Sequence, residues 1–198
     1  NISDINKLKN NESLKMTIGD KEFTSECGLM LMGNIPLTED RKPVNKRYFD
    51  ALPDNFRESA LLDRFHCFIE GWYLPRINKS MIYKGWTMNM EYFSEIMHTL
   101  RVQNVYAELF DKLVDYDRKA GVREFTAVKR IATAYIKLLF PHWTSIGEVN
   151  LDEFDAFCLQ PAIRRRGIIQ EQCHYIDPEY KAEMPAIWVF PCATAREI

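Results

Sequence analysis

The chain has 198 residues, 46% of them hydrophobic, with eight Gly and nine Pro, a composition that excludes a disordered linker, a collagen-like fibre and a disulfide-stapled miniprotein. A chain of this size buries roughly 70% of its extended surface on folding, so one or two compact domains with a real core are expected. Its 26 basic and 28 acidic residues nearly cancel, so any nucleic-acid contact must be local rather than a polybasic wrap.

Residues 1–22 are polar with a few hydrophobes and suit a peripheral helix followed by a turn at Gly19 and Asp20. The run from Cys27 to Gly33 is apolar throughout and closes on Asn34. Without alternation, such a run predicts a strand buried on both faces of a parallel sheet. That strand needs neighbours, and no equally apolar run lies nearby. Together with Asn1 in place of an initiator Met, this marks the chain as part of something longer. Residues 36–56 read as a loop, with Pro36, Pro43 and Pro53 among charges. From Phe56 a helix of about three turns is expected through Ala60, Leu61 and Phe65. Residues 68–77 then form an edge strand or an extended connector, because Pro75 forbids a central ladder position.

After Gly85 the pattern turns helical. Asn89 is placed to cap a helix with Tyr92, Phe93, Ile96, Met97 and Leu100 on one face, which continues or restarts through Val105, Leu109, Leu113 and Val114. Gly121 breaks it. The next helix runs from about Phe125 to Leu139 and stops at Pro141. Asn150 or Asp152 opens a third, within which Pro161 predicts a kink or two abutting helices. Three prolines, Pro178, Pro185 and Pro191, predict an extended tail at the end.

Chemistry-bearing residues are few. The stretch from Gly28 to Gly33 has Asn34 where a phosphate-binding loop carries its lysine, and its four large hydrophobes cannot expose a cradle of N–H groups. Asn34 is of interest alone, since a polar residue at the carboxyl end of a parallel strand faces the ligand crevice of an open α/β sheet; a turn cap is the plainer reading. Arg64, in Asp63-Arg64-Phe65-His66, either pairs on the surface with Asp63 or Glu58 or presents a guanidinium fork to a phosphate. Arg123 and Arg130, seven apart, share a helix face and could serve a phosphate or form a solvated flank. The basic run Arg164, Arg165 and Arg166 offers either nucleic-acid contact or ion pairs with nearby acids. Phe65, Phe68, Trp72 and Tyr73 read as core between domains. Five cysteines, Cys27, Cys67, Cys158, Cys173 and Cys192, lack any C-x-x-C spacing and the four histidines are scattered, so thiols in a reducing, cytoplasmic compartment are expected and a metal site is not. No apolar run is long enough to span a bilayer. No Ser-His-Asp set or carboxylate pair has a spacing that argues for it.

An ordered series of short motifs carries a resemblance. Gly33-Asn34-Ile35, Leu52-Pro53, Ala60 to His66, and Gly71 to Ile77 are followed by Phe93-Ser94-Glu95-Ile96 with Leu100-Arg101. Ala127 to Arg130, Lys137 to His142, and Ala162 to Arg166 with Glu171-Gln172 complete it. Over roughly residues 25–180 the chain resembles the later part of the AAA+ module in the Lon-protease-like proteins of bacterial phage-exclusion (BREX) systems. The resemblance implies the α/β remnant of an AAA+ core of P-loop NTPase type at 1–86, a mostly α-helical lid at 87–180, and an extended tail toward a Lon-like domain at 181–198. It implies an ATP- and Mg2+-dependent ring machine, a homo-oligomer of six or more, similar in its motor to replicative helicases and acting on DNA in phage defence. Asn34 then matches sensor 1, Arg64 the arginine finger acting in trans, and Arg123 or Arg130 sensor 2. The phosphate-binding lysine and magnesium-holding acid are absent, so they are expected upstream, in another part of the same AAA+ module, and the chain alone is expected to be inactive. No Ser-Lys protease pair is assignable. A non-enzymatic helical scaffold or nucleic-acid-binding domain, resting on Arg164 to Arg166, is the alternative.

Overall fold

The computed structural model describes residues 14–18, 21–25, 28, 30–54, 57–118 and 121–190, and the protein is predominantly helical with two small antiparallel sheets. Strand β1 (Leu14–Ile18) pairs with β2 (Lys21–Ser25), Leu14 opposite Ser25 and Ile18 opposite Lys21. A hairpin therefore occupies part of the segment expected to be helical; the turn residues Gly19 and Asp20 lie outside the described residues. Helix α1 (Ser59–Leu62) is one turn rather than three. Residues 68–77 form a connector with a 3-10 turn at Gly71–Tyr73 and no strand.

The helical half follows the sequence pattern closely. Helix α2 (Met90–Arg101) starts at Asn89, whose Oδ1 accepts from the N–H groups of Glu91 (2.9 Å) and Tyr92 (3.3 Å), satisfying two donors that a first turn leaves orphaned. The pattern restarts as α3 (Val105–Leu113), which runs into β3 (Val114–Tyr116). Helix α4 (Val122–Leu139) begins directly after Gly121. Helix α5 (Leu151–Phe154), capped by Asn150, passes through a π turn at Asp155–Leu159 into α6 (Gln160–Ile176). Pro161, in the first turn of α6, lacks an N–H for the preceding carbonyls, and the widened turn is how the chain absorbs that loss.

One core gathers Tyr106, Phe110 and Leu113 of α3, Val128, Ala132 and Ile136 of α4, and Phe154, Cys158 and Ala162 around the π turn. A second lies further along α6, where Ile169 and Cys173 meet Phe49 and Leu62. Because α6 serves both cores, the segment around α1 is laid against the helical bundle. The rings of Tyr48 and Phe68 stack and Trp72 lies tilted against both beside the second core, whereas Tyr73, read from the sequence as part of that core, is exposed.

Two expectations need correction. Residues 28 and 30–34 are irregular and exposed, Met32 at 92%, and do not form a buried parallel strand; Cys27 and Leu29 lie outside the described residues. A strand needs partners for its N–H and C=O groups, and among the described residues no parallel strand flanks this run. The final segment is not simply an extended tail. Strand β4 (Ile187–Val189) folds back on β3, Tyr116 opposite Ile187, and buries Ile187 in the first core. Burial of one β-branched side chain outweighs the turn character that Pro178 and Pro185 lend the approach. Residues 191–198 lie outside the described residues.

Two expected results follow. Glu148 Oε2 accepts from the N–H groups of Thr144 (2.7 Å) and Ser145 (2.9 Å) and from Thr144 Oγ1 (3.1 Å), bonds that favour the ionised form and hold its carboxyl below the ordinary glutamate value. Its contribution is complete above that ordinary value of about 4.3 and is lost as pH falls through the lowered one. Urea midpoints of the parent and Glu148→Gln should therefore differ at neutral pH and converge in acid. The second result concerns thiols. Cys158 and Cys173 are buried, and burial pushes both to about 12; partial burial also raises Cys67, against the Arg165 charge, but its side chain is open to solvent. Thiolate is the nucleophile, so iodoacetamide should label Cys67 in the folded protein and reach Cys158 and Cys173 only after denaturation, as read by peptide mass spectrometry.

Candidate functional site around Arg64

After α1 the chain tightens into two successive turns, Arg64 N–H donating to Leu61 O (3.1 Å) and Phe65 N–H to Leu62 O (3.0 Å). These turns leave the carbonyls of Asp63 and Phe65 without local partners. Arg166 supplies them: its Nη1 donates to Asp63 O (2.9 Å) and to Phe65 O (2.8 Å). The same guanidinium bonds the Asp63 carboxylate through Nη2 (2.5 Å). The residues on either side of Arg64 are thus pinned by one side chain, as the planar fork of arginine allows.

Asp63 is 5% exposed and Arg166 1% exposed, so each requires a charge partner and hydrogen bonds to be tolerated inside the protein. Arg166 also lies 3.5 Å from Glu124 Oε1. Arg123 Nη1 bonds the other Asp63 oxygen (2.5 Å) while its own side chain stays 54% exposed; that bond raises the Arg123 guanidinium above its ordinary value, against a smaller opposing effect of burial. Two acids and two arginines therefore balance in charge. Nearby, Arg130 Nη1 meets His66 Nε2 at 2.8 Å, so the two arginines of one α4 face, seven residues apart, both reach the turn that carries Arg64.

Arg64 points the other way. It is exposed, its Nε donates to Ala60 O (3.1 Å), and among the described residues its terminal nitrogens meet no acid. The surface pair with Asp63 is not formed, because Asp63 turns inward to Arg166 and Arg123. Arg166 itself is no surface cation: it sits in the buried stripe Ala162, Arg166, Ile169 and Cys173 of α6, out of reach of a nucleic acid. Arg164 pairs with Glu70 (2.5 Å) while its side chain stays 64% exposed, and Arg165 donates to Tyr135 Oη (2.7 Å), so of the basic run Arg164 alone is left largely facing solvent. Asn34 lies in exposed, irregular backbone.

Sequence reasoning missed Asp63 and Glu124 as members of this site. A signal existed for Arg166, since positions 162, 166, 169 and 173 fall at helical spacing on one face, but a charge within a stripe reads first as surface. Of two cavities among the described residues, one is lined by Arg130 and neither by Asn34 or Arg123. Among the described residues no group of three or more His, Cys, Asp and Glu could hold a metal ion. No described helix is long and apolar enough to cross a membrane.

The described residues thus form a helical bundle in which the buried Asp63–Arg166 pair fixes the turn that carries the exposed Arg64. The family model for the ATPase domain of Lon-like protease BrxL-like proteins matches residues 2–186, and the chain belongs to that family. It is similar to the Lon-like protease BrxL of Bacillus cereus (strain H3081.97), 24% identical over 131 residues that make up 66% of this chain and 19% of the relative. It is likewise similar to the Lon-like protease BrxL of Escherichia coli O9:H4 (strain HS), 22% identical over 154 residues, 78% of this chain and 21% of the relative. The chain spans about a fifth of the length of these curated relatives.

Proposed function

We propose that the chain is the later part of an AAA+ motor, with residues 1–86 completing the nucleotide-binding core, residues 87–180 forming its lid, and Arg64 acting as an arginine finger on the neighbouring subunit of a homo-oligomeric ring of six or more. The observation that carries this reading is the exposed Arg64 between two carbonyls pinned by the buried Arg166. A trans-acting guanidinium must reach outward yet stay fixed, because charge stabilisation of phosphoryl transfer depends on preorganised position. ATP with Mg2+ supplies the phosphoryl group for that transfer, and Arg64 fits the role of an anion contact reaching it from outside. Asn34 as sensor 1, and Arg123 or Arg130 as sensor 2, belong to the same reading, each needing a rearranged or completed core. The exposed Met30, Leu31, Met32 and fully exposed Trp86 are apolar surface suited to contact the remainder of that core.

On this reading the complete protein is a cytoplasmic hydrolase that acts on DNA in phage defence, and the chain alone does not turn over ATP. The alternative of a nucleic-acid-binding scaffold would rest on Arg164, whose side chain stays 64% exposed beside Glu70, since Arg165 bonds Tyr135 and Arg166 is buried on the Asp63 turn. Mixing decides the trans role. Full-length Arg64→Ala subunits retain a nucleotide site but no finger, and subunits lacking the phosphate-binding lysine retain the finger. Intact mixed rings should recover ATPase activity that neither variant has, and rings that remain inactive would sink the trans assignment.

A further inference from the structure

We infer that Asp63 is a positioning residue that couples Arg123 to Arg64, so that an anion drawing Arg123 away from Asp63 alters the turn on which Arg64 stands. This rests on the reading of Arg64 as the group that acts on a neighbour. The two guanidinium partners of Asp63 differ in the way such a coupling needs. Arg166 is 1% exposed and donates to three acceptors, two of them carbonyls flanking Arg64. It cannot leave. Arg123 is 54% exposed and holds Asp63 through one nitrogen, so a phosphate oxygen at the surface offers it an equal charge-assisted bond.

When Arg123 moves to such an anion, Asp63 keeps Arg166 and is not left as a bare buried charge. Its second oxygen loses its donor, however, and the carboxylate can recentre on Arg166, which also grips the backbone at 63 and 65. A change at the start of α4 is thereby passed to Arg64 through two side chains. The ligand class is a polyphosphate, and the currency is competition between that anion and Asp63 for one guanidinium.

The competition makes a prediction of opposite signs. In the full-length protein Asp63→Asn weakens the hold on Arg123 without changing side-chain shape, so a fluorescent non-hydrolysable ATP analogue should bind three- to tenfold more tightly, while ATP turnover falls at least fivefold as Arg64 loosens. General damage would lower both. Arg123→Ala should weaken analogue binding and abolish the effect of Asp63→Asn upon it. A second measurement needs no substitution at a buried site: the analogue should change amide hydrogen exchange over residues 61–68 in the parent and leave it unchanged in Arg123→Ala. Unchanged or weaker binding by folded Asp63→Asn, persistence of its effect without Arg123, or an exchange response indifferent to Arg123 overturns the coupling. Full turnover by Arg64→Ala would instead remove the finger reading, and it leaves the affinity results interpretable by themselves.

Discussion

Arg64→Ala in the full-length protein should bind ATP within about twofold of the parent and lose at least ~10^3 in turnover, the lower range for removal of an arginine finger. A loss of that size is about 4 kcal/mol of transition-state stabilisation. Two features make the loss selective. Arg64 contributes little to the fold, since its one described side-chain bond returns to Ala60 O in the preceding turn. Nor does it touch the residues matched to sensor 2, which contact Asp63 and His66 instead. Arg64→Lys should recover little, because a point charge on a flexible stem cannot reproduce a fixed fork of donors. The measurement is steady-state ATP hydrolysis beside equilibrium nucleotide binding on rings of verified size. Weaker nucleotide binding with turnover at saturating ATP unchanged would move Arg64 out of the transition state and into ground-state binding.

Arg166→Met should destabilise the 198-residue chain by about 3–5 kcal/mol, the usual cost of leaving one member of a buried ion pair uncompensated. That is a large part of a typical domain's total stability of about 5–15 kcal/mol. The substitution removes a charge partner of Asp63 and strands the buried carbonyl of Asp63 and the part-buried carbonyl of Phe65. Arg123 remains on Asp63, but from an exposed position and through one oxygen. Arg164→Ala, two residues away, should cost under about 1 kcal/mol, since its pair with Glu70 is largely solvated on the arginine side. The double replacement Asp63→Leu with Arg166→Met should recover much of the single loss, because the stranded carboxylate goes too. Urea unfolding of the four proteins tests the order, and equal costs for Arg166→Met and Arg164→Ala would refute the buried-pair account.

Local physics determined much of the helical half in advance. The caps at Asn89 and Asn150, the break at Gly121 and the interruption at Pro161 each depend on a residue and its neighbours within one or two turns, so they are legible in a linear pattern. The exposure of Arg64, the shared face of Arg123 and Arg130, and the family itself were likewise within reach of the residues alone. Pairing across the chain was not. The pairing of Leu14–Ile18 with Lys21–Ser25 and the return of Ile187–Val189 onto Val114–Tyr116 depend on strands finding each other and, for the second, on distant packing. Residues 28 and 30–34 failed as a strand for the complementary reason, having apolar neighbours but no strand beside them among the described residues. Most of all, tertiary structure decided what the charges do. Asp63 and Arg166 are 103 positions apart, and spacing within one helix cannot reveal that a guanidinium on α6 faces a carboxylate at the end of α1. Only the packing of both elements around the second core brings them together, excludes water from them, and turns a residue that reads as a surface cation into the support of the site.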